Sequence, residues 1–240
     1  MTRMTNAPRP TASRRAERET SATLVYKAVK HDIVQGILEP GHKLQIEQIA
    51  ERYSAGTNPV REALNRLSSE RLVDREDQRG FFVPPLSLED FRDIVQTRCW
   101  VEGQALEVSI RNRTEAWEDA VILATHRLKA TPILYNEDTP PGATPPDNAL
   151  WEERHRIYHR ALIANCGSQH LLRFAAELML LSERYRFISM ANSFPRRRSV
   201  DEHQIIVDAA LSGDIATAVA ALQGQYLLTL QRYEEIMRDA

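Results

Sequence analysis

Apolar residues recur at helical spacing along most of the chain, and this pattern predicts a mainly α-helical protein. In segment 21–38 an apolar residue comes at every fourth position, which places these side chains on one face of a helix that ends before Pro40-Gly41. The residues of that face are Val25, Val29, Ile33 and Ile37. Segment 46–54 predicts a second, shorter helix.

The next segment combines a third helix with a hairpin. Pro59 favours the first turn of a helix, and the preceding Gly56-Thr57-Asn58 supplies turn and N-cap residues. The apolar stripe of this helix consists of Val60, Ala63, Leu64 and Leu67. The opposite face carries Asn58, Glu62, Asn65 and Ser69, flanked by Arg61 and Arg66. Two strand-like pieces, LVDRE and FFV, then surround the turn 77–80, so we predict a two-stranded hairpin.

The remainder of the chain, after Pro84-Pro85, is predicted to be helical. Ser87 and Asp90 have the spacing of a capping box, and helices follow near 88–112, 114–130, 148–165, 168–192, 199–212 and 214–238. Segment 131–148 contains five prolines and is interpreted as an inserted loop, with a functional lid as the alternative. We therefore expect a disordered basic arm over 1–20, a winged helix-turn-helix over 21–84 and an all-helical domain over 87–240.

Composition excludes several classes of protein. A chain of 240 residues is long enough for two domains, and 42% hydrophobic with 27% charged residues is typical of a globular protein. No apolar run approaches the roughly 18 residues that a membrane span requires. Cys99 and Cys166 lack metal-binding or redox spacing and are expected to be buried thiols, which favours a cytoplasmic protein.

The net charge of −2 conceals an uneven distribution. Residues 1–85 carry 14 Lys and Arg against 11 Asp and Glu, whereas residues 86–240 carry 17 against 22. A basic first part suits a domain that meets a polyanion, and a helix in the major groove of DNA would present its polar face to the bases. The DNA-contact candidates are Thr57, Asn58, Arg61, Asn65, Arg66, Arg79 and Gly80. Glu62 lies four residues before Arg66, where an ion pair would hold that arginine in place.

Segment 37–83, ILEPGHKLQIEQIAERYSAGTNPVREALNRLSSERLVDREDQRGFFV, resembles the amino-terminal domain of GntR-family transcription regulators. The matching positions are Pro40-Gly41, Leu44, Ile49-Ala50, Pro59–Leu64, Arg66-Leu67 and Arg79-Gly80. The sequence departs from the family at Gly56-Thr57-Asn58, where the family usually has Ser-Arg-Thr, and at Glu47, where many relatives have a basic residue. The resemblance implies that the protein binds a double-stranded DNA operator, and the departures imply an operator unlike the usual family pattern.

The second domain is similar to the all-helical FCD domain of the FadR-like branch of this family. The matching positions are Arg98 and Glu102 in an R-x-x-x-E pattern, Tyr158-His159, Leu162, Gly167 and Glu202-His203. The resemblance implies a homodimer with a small metabolite, often a carboxylate, inside the helical bundle. Arg98 is the candidate cation for that effector, and a structural Arg98–Glu102 ion pair is the alternative.

Two histidines in the predicted third helix of this domain are candidate metal ligands. His155 and His159 are four residues apart, so a helix places both imidazoles on one face. Many FCD domains hold a divalent metal with one Asp and three His. By resemblance His159 and His203 match this set, His155 takes the Asp position and Gln225 the last His position. One zinc or nickel ion and a metal-free polar pocket are the two interpretations that remain open.

These patterns together predict a ligand-responsive transcription regulator, expected to be a repressor that binds an inverted-repeat operator as a homodimer. The alternative is a metal-dependent enzyme that uses the winged domain as a docking module. The segment HRIYH lacks the glutamate of an HExxH zinc protease, and the sequence offers no Ser/His/Asp array or phosphate-binding loop. We therefore predict that the chain is not an enzyme.

Overall fold

The protein is mainly α-helical with one small antiparallel sheet, as predicted. The structure is a computed structural model and describes residues 19–132, 149–193 and 199–239. Most of the predicted basic arm and most of the proline-rich segment 131–148 therefore lie outside the described residues. Among the helices that are described, none is long and apolar enough to cross a membrane.

The first domain consists of three helices and a three-stranded sheet in the part of the chain that the structure describes. The helices are α1 (Ser21–Val34), α2 (Ile46–Arg52) and α3 (Thr57–Ser69), and the strands are β1 (Lys43–Leu44), β2 (Asp74–Glu76) and β3 (Gly80–Phe82). Strand β3 lies between β1 and β2 and pairs antiparallel with both. The hairpin β2–β3 is the predicted one, whereas the two residues of β1 are too few to produce a periodic signal.

Helix α1 is shorter than its apolar spacing predicts. We expected it to reach Leu38, but it ends at Val34, because Gly36 adopts a φ of 71° that reverses the chain. The reversal leaves Ile37 49% exposed and buries Leu38 in its place. The prediction that Ile37 belongs to the buried face was therefore wrong, and Gly36 is the stop signal that it overlooked.

The second domain is a helical bundle. Its described helices are α4 (Leu88–Arg111), α5 (Glu115–Lys129), α6 (Ala149–Ile163), α7 (Gln169–Ser193), α8 (Ser199–Ser212) and α9 (Ile215–Asp239), within a few residues of the predicted bounds. Helix α4 packs along α7 and α9, and α5 packs against α6 and α8. The Ser87 hydroxyl accepts a hydrogen bond from the Asp90 backbone N–H at 3.3 Å, so the predicted cap of α4 is formed.

Each domain has its own hydrophobic core, and α7 contacts both of them. Leu181 packs against the core of the first domain as well as that of the bundle. Arg184 donates from Nη2 to the carbonyl oxygen of Pro84 at 2.6 Å, and the Tyr185 hydroxyl donates to Asp90 Oδ2 at 2.6 Å. Helix α7 is thus bonded both to the segment that joins the two domains and to the start of α4.

Candidate nucleic-acid interface and buried histidine cluster

The outward face of α3 presents a row of polar side chains to solvent. Val60, Ala63, Leu64 and Leu67 are fully buried, as the apolar stripe predicts. The exposed residues are Thr57, Asn58, Arg61, Glu62, Asn65, Arg66 and Ser69. The N-cap is Gly56, the first of the three predicted turn and N-cap residues, because α3 begins at Thr57. Pro59 still lies in the first turn, where its missing N–H removes no intrahelical hydrogen bond.

A groove of about 620 Å³ separates α3 from the three-stranded sheet. Arg61 and Asn65 line it from α3, Lys43 lines it from β1 and Gly80 from β3. Gly80 has a φ of 102°, which residues with a side chain rarely adopt, so glycine suits this position of the hairpin. The predicted DNA-contact residues Arg61, Asn65 and Gly80 therefore face one groove.

Two of the predicted DNA-contact arginines are held by neighbouring side chains. Arg79 forms an ion pair with Glu76 and lies over the ring of Phe82. The guanidinium carbon of Arg66 lies 4.1 Å from the centre of the Tyr26 ring, because α1 packs beside α3. The predicted ion pair between Arg66 and Glu62 is not formed among the described residues, so this expectation was wrong.

Lys43 is a groove residue that the sequence did not single out. Its Nζ lies 5.8 Å from the centre of the Phe82 ring, on the strand that pairs with the hairpin. The same groove includes the carboxylates of Glu47, Glu76 and Asp77. Only the pairing of β1 with β3, between residues far apart in the chain, brings this lysine to the wing.

Arg98 and Glu102 form a buried ion pair within α4. Arg98 donates from Nε to Glu102 Oε1 at 2.6 Å and from Nη1 to Ser182 Oγ at 2.8 Å. The Tyr226 hydroxyl donates to Glu102 Oε2 at 2.7 Å. Burial lowers the pKa of Arg98, but the adjacent Glu102 carboxylate raises it, and the net rise keeps the guanidinium charged. The structural pair that the sequence left open is thus formed.

Three buried imidazoles meet between α6 and α8. One ring nitrogen from each of His155, His159 and His203 lies within 4.8 Å of the other two. The Nε2 atoms of His155 and His159 are 3.1 Å apart, and His203 Nε2 lies 2.9 Å from Gln225 Nε2. The tertiary structure therefore brings together all four residues that the family resemblance implied.

The chemistry of this cluster fits a divalent cation. Burial lowers the pKa of His155 well below its ordinary value, and the positive charge of Arg186 lowers it further, so the imidazole is neutral and able to coordinate. Gln225 Oε1 is buried without a hydrogen-bond partner among the described residues. A half-turn of its amide would exchange Oε1 and Nε2 and direct the oxygen toward His203. Three imidazoles and one amide oxygen are a plausible donor set for zinc or nickel, in which the amide is the weakest donor.

A second network of charged side chains lies beside the histidines, and its members are buried except for the exposed Arg156. Arg186 donates from Nη1 to Glu152 Oε1 at 2.9 Å, and Arg156 donates from Nη1 to Glu183 Oε2 at 3.1 Å. Burial raises the pKa of Glu183 although two arginines lie nearby, and its Oε1 has no partner among the described residues. The sequence did not predict this network, because the spacing of charged residues along α6 and α7 carries no local sign of their burial.

A cavity of about 280 Å³ opens between α6 and α7 next to the histidine cluster. Its polar lining consists of Glu102, Glu153, Arg156, His159 and Arg160. The apolar lining consists of Ile157, Ile163, Leu172, Ala175, Ala176 and Met179. An apolar cavity with a few convergent polar groups is typical of a site for a small molecule.

Comparison with known sequences matches both halves of the chain. Residues 22–83 match the family described as bacterial regulatory proteins, gntR family, and residues 93–225 match the FCD domain. The chain is 38% identical over 189 residues to the uncharacterized HTH-type transcriptional regulator BphR of Paraburkholderia xenovorans, covering 79% of this chain and 75% of that protein. It is 33% identical over 208 residues to the HTH-type transcriptional repressor GlaR of Escherichia coli, covering 85% and 91%.

Solved structures share the fold. McbR/YncC of E. coli superposes with a TM-score of 0.67 at 19% identity, over 92% of this chain and 99% of that chain. A GntR-type regulator from Rhodococcus sp. RHA1 gives a TM-score of 0.65 at 20% identity, over 89% and 97%. At such identities the agreement establishes the arrangement of the elements, and the chemistry of the sites rests on the residues of this chain.

Proposed function

This chain belongs to the gntR family of bacterial regulatory proteins and carries an FCD domain, and we propose that it is a ligand-responsive repressor that binds an inverted-repeat operator as a homodimer. Membership makes it a DNA-binding transcription regulator. Its curated relatives are regulators rather than enzymes, so the alternative of a metal-dependent enzyme is set aside. The description of GlaR as a repressor supports the expected direction of regulation.

The observation that carries the DNA-binding part of the proposal is the exposed face of α3 beside the wing. Arg61 and Asn65 line the groove between α3 and the sheet, and Thr57 and Asn58 are exposed at the start of the same helix. A helix in the major groove reads base edges with such side chains, and Arg79 and Gly80 at the wing tip would meet the backbone. One such unit contacts one half-site, so a two-fold dimer would require two half-sites in inverted orientation.

Selection of DNA fragments by the purified protein, followed by sequencing, tests this proposal. We expect an enriched motif with two inverted half-sites, and light scattering of the free protein should give the mass of a dimer. A single unrepeated half-site, or a monomer that binds with the same affinity, would contradict the dimeric part. Binding without any enriched sequence would contradict the operator.

We propose further that a small carboxylate is the effector and that it enters the cavity between α6 and α7. The guanidinium groups of Arg156 and Arg160 line that cavity together with the carboxylates of Glu102 and Glu153. Glu102 is paired with Arg98 and Arg156 with Glu183, which leaves Arg160 as the lining guanidinium for which no ion pair is described. Guanidinium groups bind carboxylates with paired hydrogen bonds, which supports an acid over a neutral ligand. A screen of small carboxylic acids by thermal shift and operator release tests this. A shift that persists in the double variant Arg156→Ala with Arg160→Ala would place the ligand elsewhere.

The histidine cluster is proposed to hold one zinc or nickel ion through His155, His159 and His203, with Gln225 as a weak fourth donor. When bound, such an ion supplies a Lewis-acid position next to the cavity. Elemental analysis should find about one equivalent per chain, and the ion should raise stability by about 2.7 kcal/mol at a hundredfold excess over its dissociation constant. Gln225→His should tighten binding, because imidazole is the better donor. Protein without metal that gains no stability from either ion would contradict the site.

A further inference from the structure

One hydroxyl group connects the Arg98–Glu102 ion pair to the histidine cluster. Tyr226 Oη lies 2.7 Å from Glu102 Oε2 and 3.2 Å from His159 Nδ1. The residues Arg98, Glu102, Tyr226 and His159 are each at most 6% exposed, so bulk water has little access to these contacts. The geometry therefore forms a continuous chain of contacts from a charged pair on α4, through α9, to an imidazole on α6.

The number of protons available determines which group donates and which accepts in each of these contacts. A tyrosine hydroxyl has one proton and can donate it to only one of its two neighbours. Glu102 is the acceptor, because its carboxylate is paired with two N–H groups of Arg98 and has only lone pairs to offer. A tyrosine hydroxyl ionises only near pH 10, so it keeps its proton at neutral pH. The Tyr226 oxygen must then accept the hydrogen bond from His159, whose Nδ1 carries the hydrogen.

We infer that Glu102, acting through Tyr226, holds His159 in the tautomer protonated at Nδ1, and that Arg98 positions Glu102 for this role. The lone pair of His159 is then on Nε2, the nitrogen that lies 3.1 Å from His155 Nε2. The partner of one imidazole nitrogen decides which tautomer the ring adopts. Arg98 and Glu102 are thereby positioning residues of the histidine cluster, in addition to any contact with an effector.

The function of this relay rests on the proposed metal site, in which His159 is a ligand. A metal ion binds the lone pair of an imidazole, so a ring held with its hydrogen on Nδ1 offers Nε2 for coordination. Groups that orient a ligand in this way typically change metal affinity by about 10–100-fold. The tautomer itself does not require a bound ion, so it can be measured in metal-free protein.

Nitrogen-15 NMR of histidine-labelled protein, kept free of metal by a chelator, tests the relay directly. We expect His159, assigned by the loss of its signals in His159→Gln, to carry its hydrogen on Nδ1. Tyr226→Phe removes the relay oxygen at nearly constant volume and should shift the ring toward the Nε2–H form, and Glu102→Gln should lower the Nδ1–H fraction as well. A wild-type His159 protonated at Nε2, or a Tyr226→Phe ring with an unchanged tautomer, would overturn the inference.

Tyr158→Phe is the matched control. The Tyr158 hydroxyl is buried in the same cluster but donates to the backbone carbonyl of His203 at 2.9 Å instead of a ring nitrogen. This variant should leave the His159 tautomer unchanged. If Tyr158→Phe changes the His159 tautomer as much as Tyr226→Phe does, the loss of any buried hydroxyl group disturbs the ring. The effect could then not be assigned to the relay.

Titration with zinc or nickel against a competing chelator provides the second measurement. Tyr226→Phe should weaken binding by about 10–100-fold, and by more than Tyr158→Phe, whose hydroxyl contacts the backbone of His203 and no ring nitrogen. If the wild type binds neither ion but the NMR result is as expected, the proposed metal site fails and the relay stands. If the ions bind Tyr226→Phe as tightly as wild type, the role of the relay in metal binding fails and the metal site stands.

Discussion

At the scale of single residues, Arg61 is the side chain on which the proposed DNA contact depends most. It lines both the groove beside the wing and the open face of α3 that also carries Asn58 and Arg66. Arg66 rests on the Tyr26 ring, whereas Arg61 has no ion pair or aromatic contact among the described residues. A base or phosphate can therefore bind the guanidinium of Arg61 without breaking an existing ion pair or aromatic contact.

Arg61→Ala should weaken binding to the selected operator while leaving the fold intact. An arginine–base contact contributes about 1–3 kcal/mol, which corresponds to about 5- to 150-fold in affinity. Fluorescence anisotropy at one fixed salt concentration measures the change, and circular dichroism checks the fold. Arg127→Ala on α5 is the control, because it removes the same charge from an exposed position of the other domain. If the two variants lose the same affinity for the operator, the effect of Arg61→Ala comes from the change in net charge and not from a contact of Arg61.

His155 should make the stability of the metal-free protein depend on pH. Burial lowers its pKa well below 6.5, and the charges of Arg186, His159, His203 and Arg98 lower it further. Below pH 6.5 the unfolded chain binds a proton at this ring that the folded protein does not bind, so the free energy of unfolding falls as pH falls. Its contribution is fully present above that pH and changes by at most about 1.4 kcal/mol per pH unit.

Urea denaturation in the presence of a chelator, at pH values above and below 6.5, measures this dependence. His155→Phe keeps an aromatic ring beside Trp151, which stacks on His155 with ring centres 4.8 Å apart. The variant should lose part of the pH dependence because its ring cannot titrate. Parallel pH profiles of wild type and variant would show that another group is responsible.

At the scale of elements, the wing depends on the backbone of Gly80. Its φ is 102°, and a Cβ there would meet only Lys43 Cε, at 3.9 Å, so backbone strain rather than lack of space limits substitution. Gly80→Ala should cost about 1–3 kcal/mol of stability and weaken operator binding, because relief of the strain moves the hairpin tip. Arg79→Ala removes the charge at the tip without changing φ. It should weaken binding with a stability loss below about 0.5 kcal/mol.

Denaturation and operator titration of these two wing variants separate conformation from charge. The interpretation requires that stability falls in Gly80→Ala and not in Arg79→Ala. If Gly80→Ala is as stable as the wild type, alanine either adopts the positive φ without strain or changes φ at no cost in stability. In that case the glycine would serve only the close approach of DNA.

At the scale of the whole molecule, α7 is the element through which the two domains are bonded. Arg184 is 6% exposed and donates to the Pro84 carbonyl, while Ser182, two residues earlier, accepts from Arg98 in the bundle. Neighbouring positions of one helix thus contact the interdomain segment and Arg98, whose ion-pair partner Glu102 lines the proposed effector cavity. A displacement of α7 by a ligand would be transmitted to the segment that carries the DNA-binding domain.

Arg184→Ala should loosen the connection between the domains. It leaves a carbonyl without its charged donor, a loss of about 1.5–3 kcal/mol. Limited proteolysis should cut the segment around Pro84-Pro85 faster than in the wild type. Arg113→Ala is the control, because Arg113 also donates to a backbone carbonyl, that of Leu211 at 3.3 Å, but within the bundle. Equal cleavage rates in wild type and Arg184→Ala would show that this bond does not hold the domains.

The sequence by itself determined the elements other than β1, and their order, because these depend on neighbouring residues. The four-residue apolar spacing of α3, the Ser87 cap of α4 and the glycine of the wing each act within one or two turns of chain, and the structure shows all three. The wrong prediction for Ile37 also depended on neighbouring residues, because the adjacent Gly36 ends the helix and outweighs the apolar spacing. The family resemblance added His203 and Gln225, which no spacing could connect to His159.

Only the tertiary structure decided which charged and polar side chains are buried and what they contact. Arg98 meets Ser182 across 84 positions, and Glu102 meets Tyr226 across 124, and no periodicity along the chain encodes such pairs. The same holds for Arg66 on Tyr26 and for Lys43 beside the wing, which depend on how α1 and β1 pack. Helical spacing specifies a direction around one axis, whereas the partner of a side chain depends on a second element placed by the packing of the whole core.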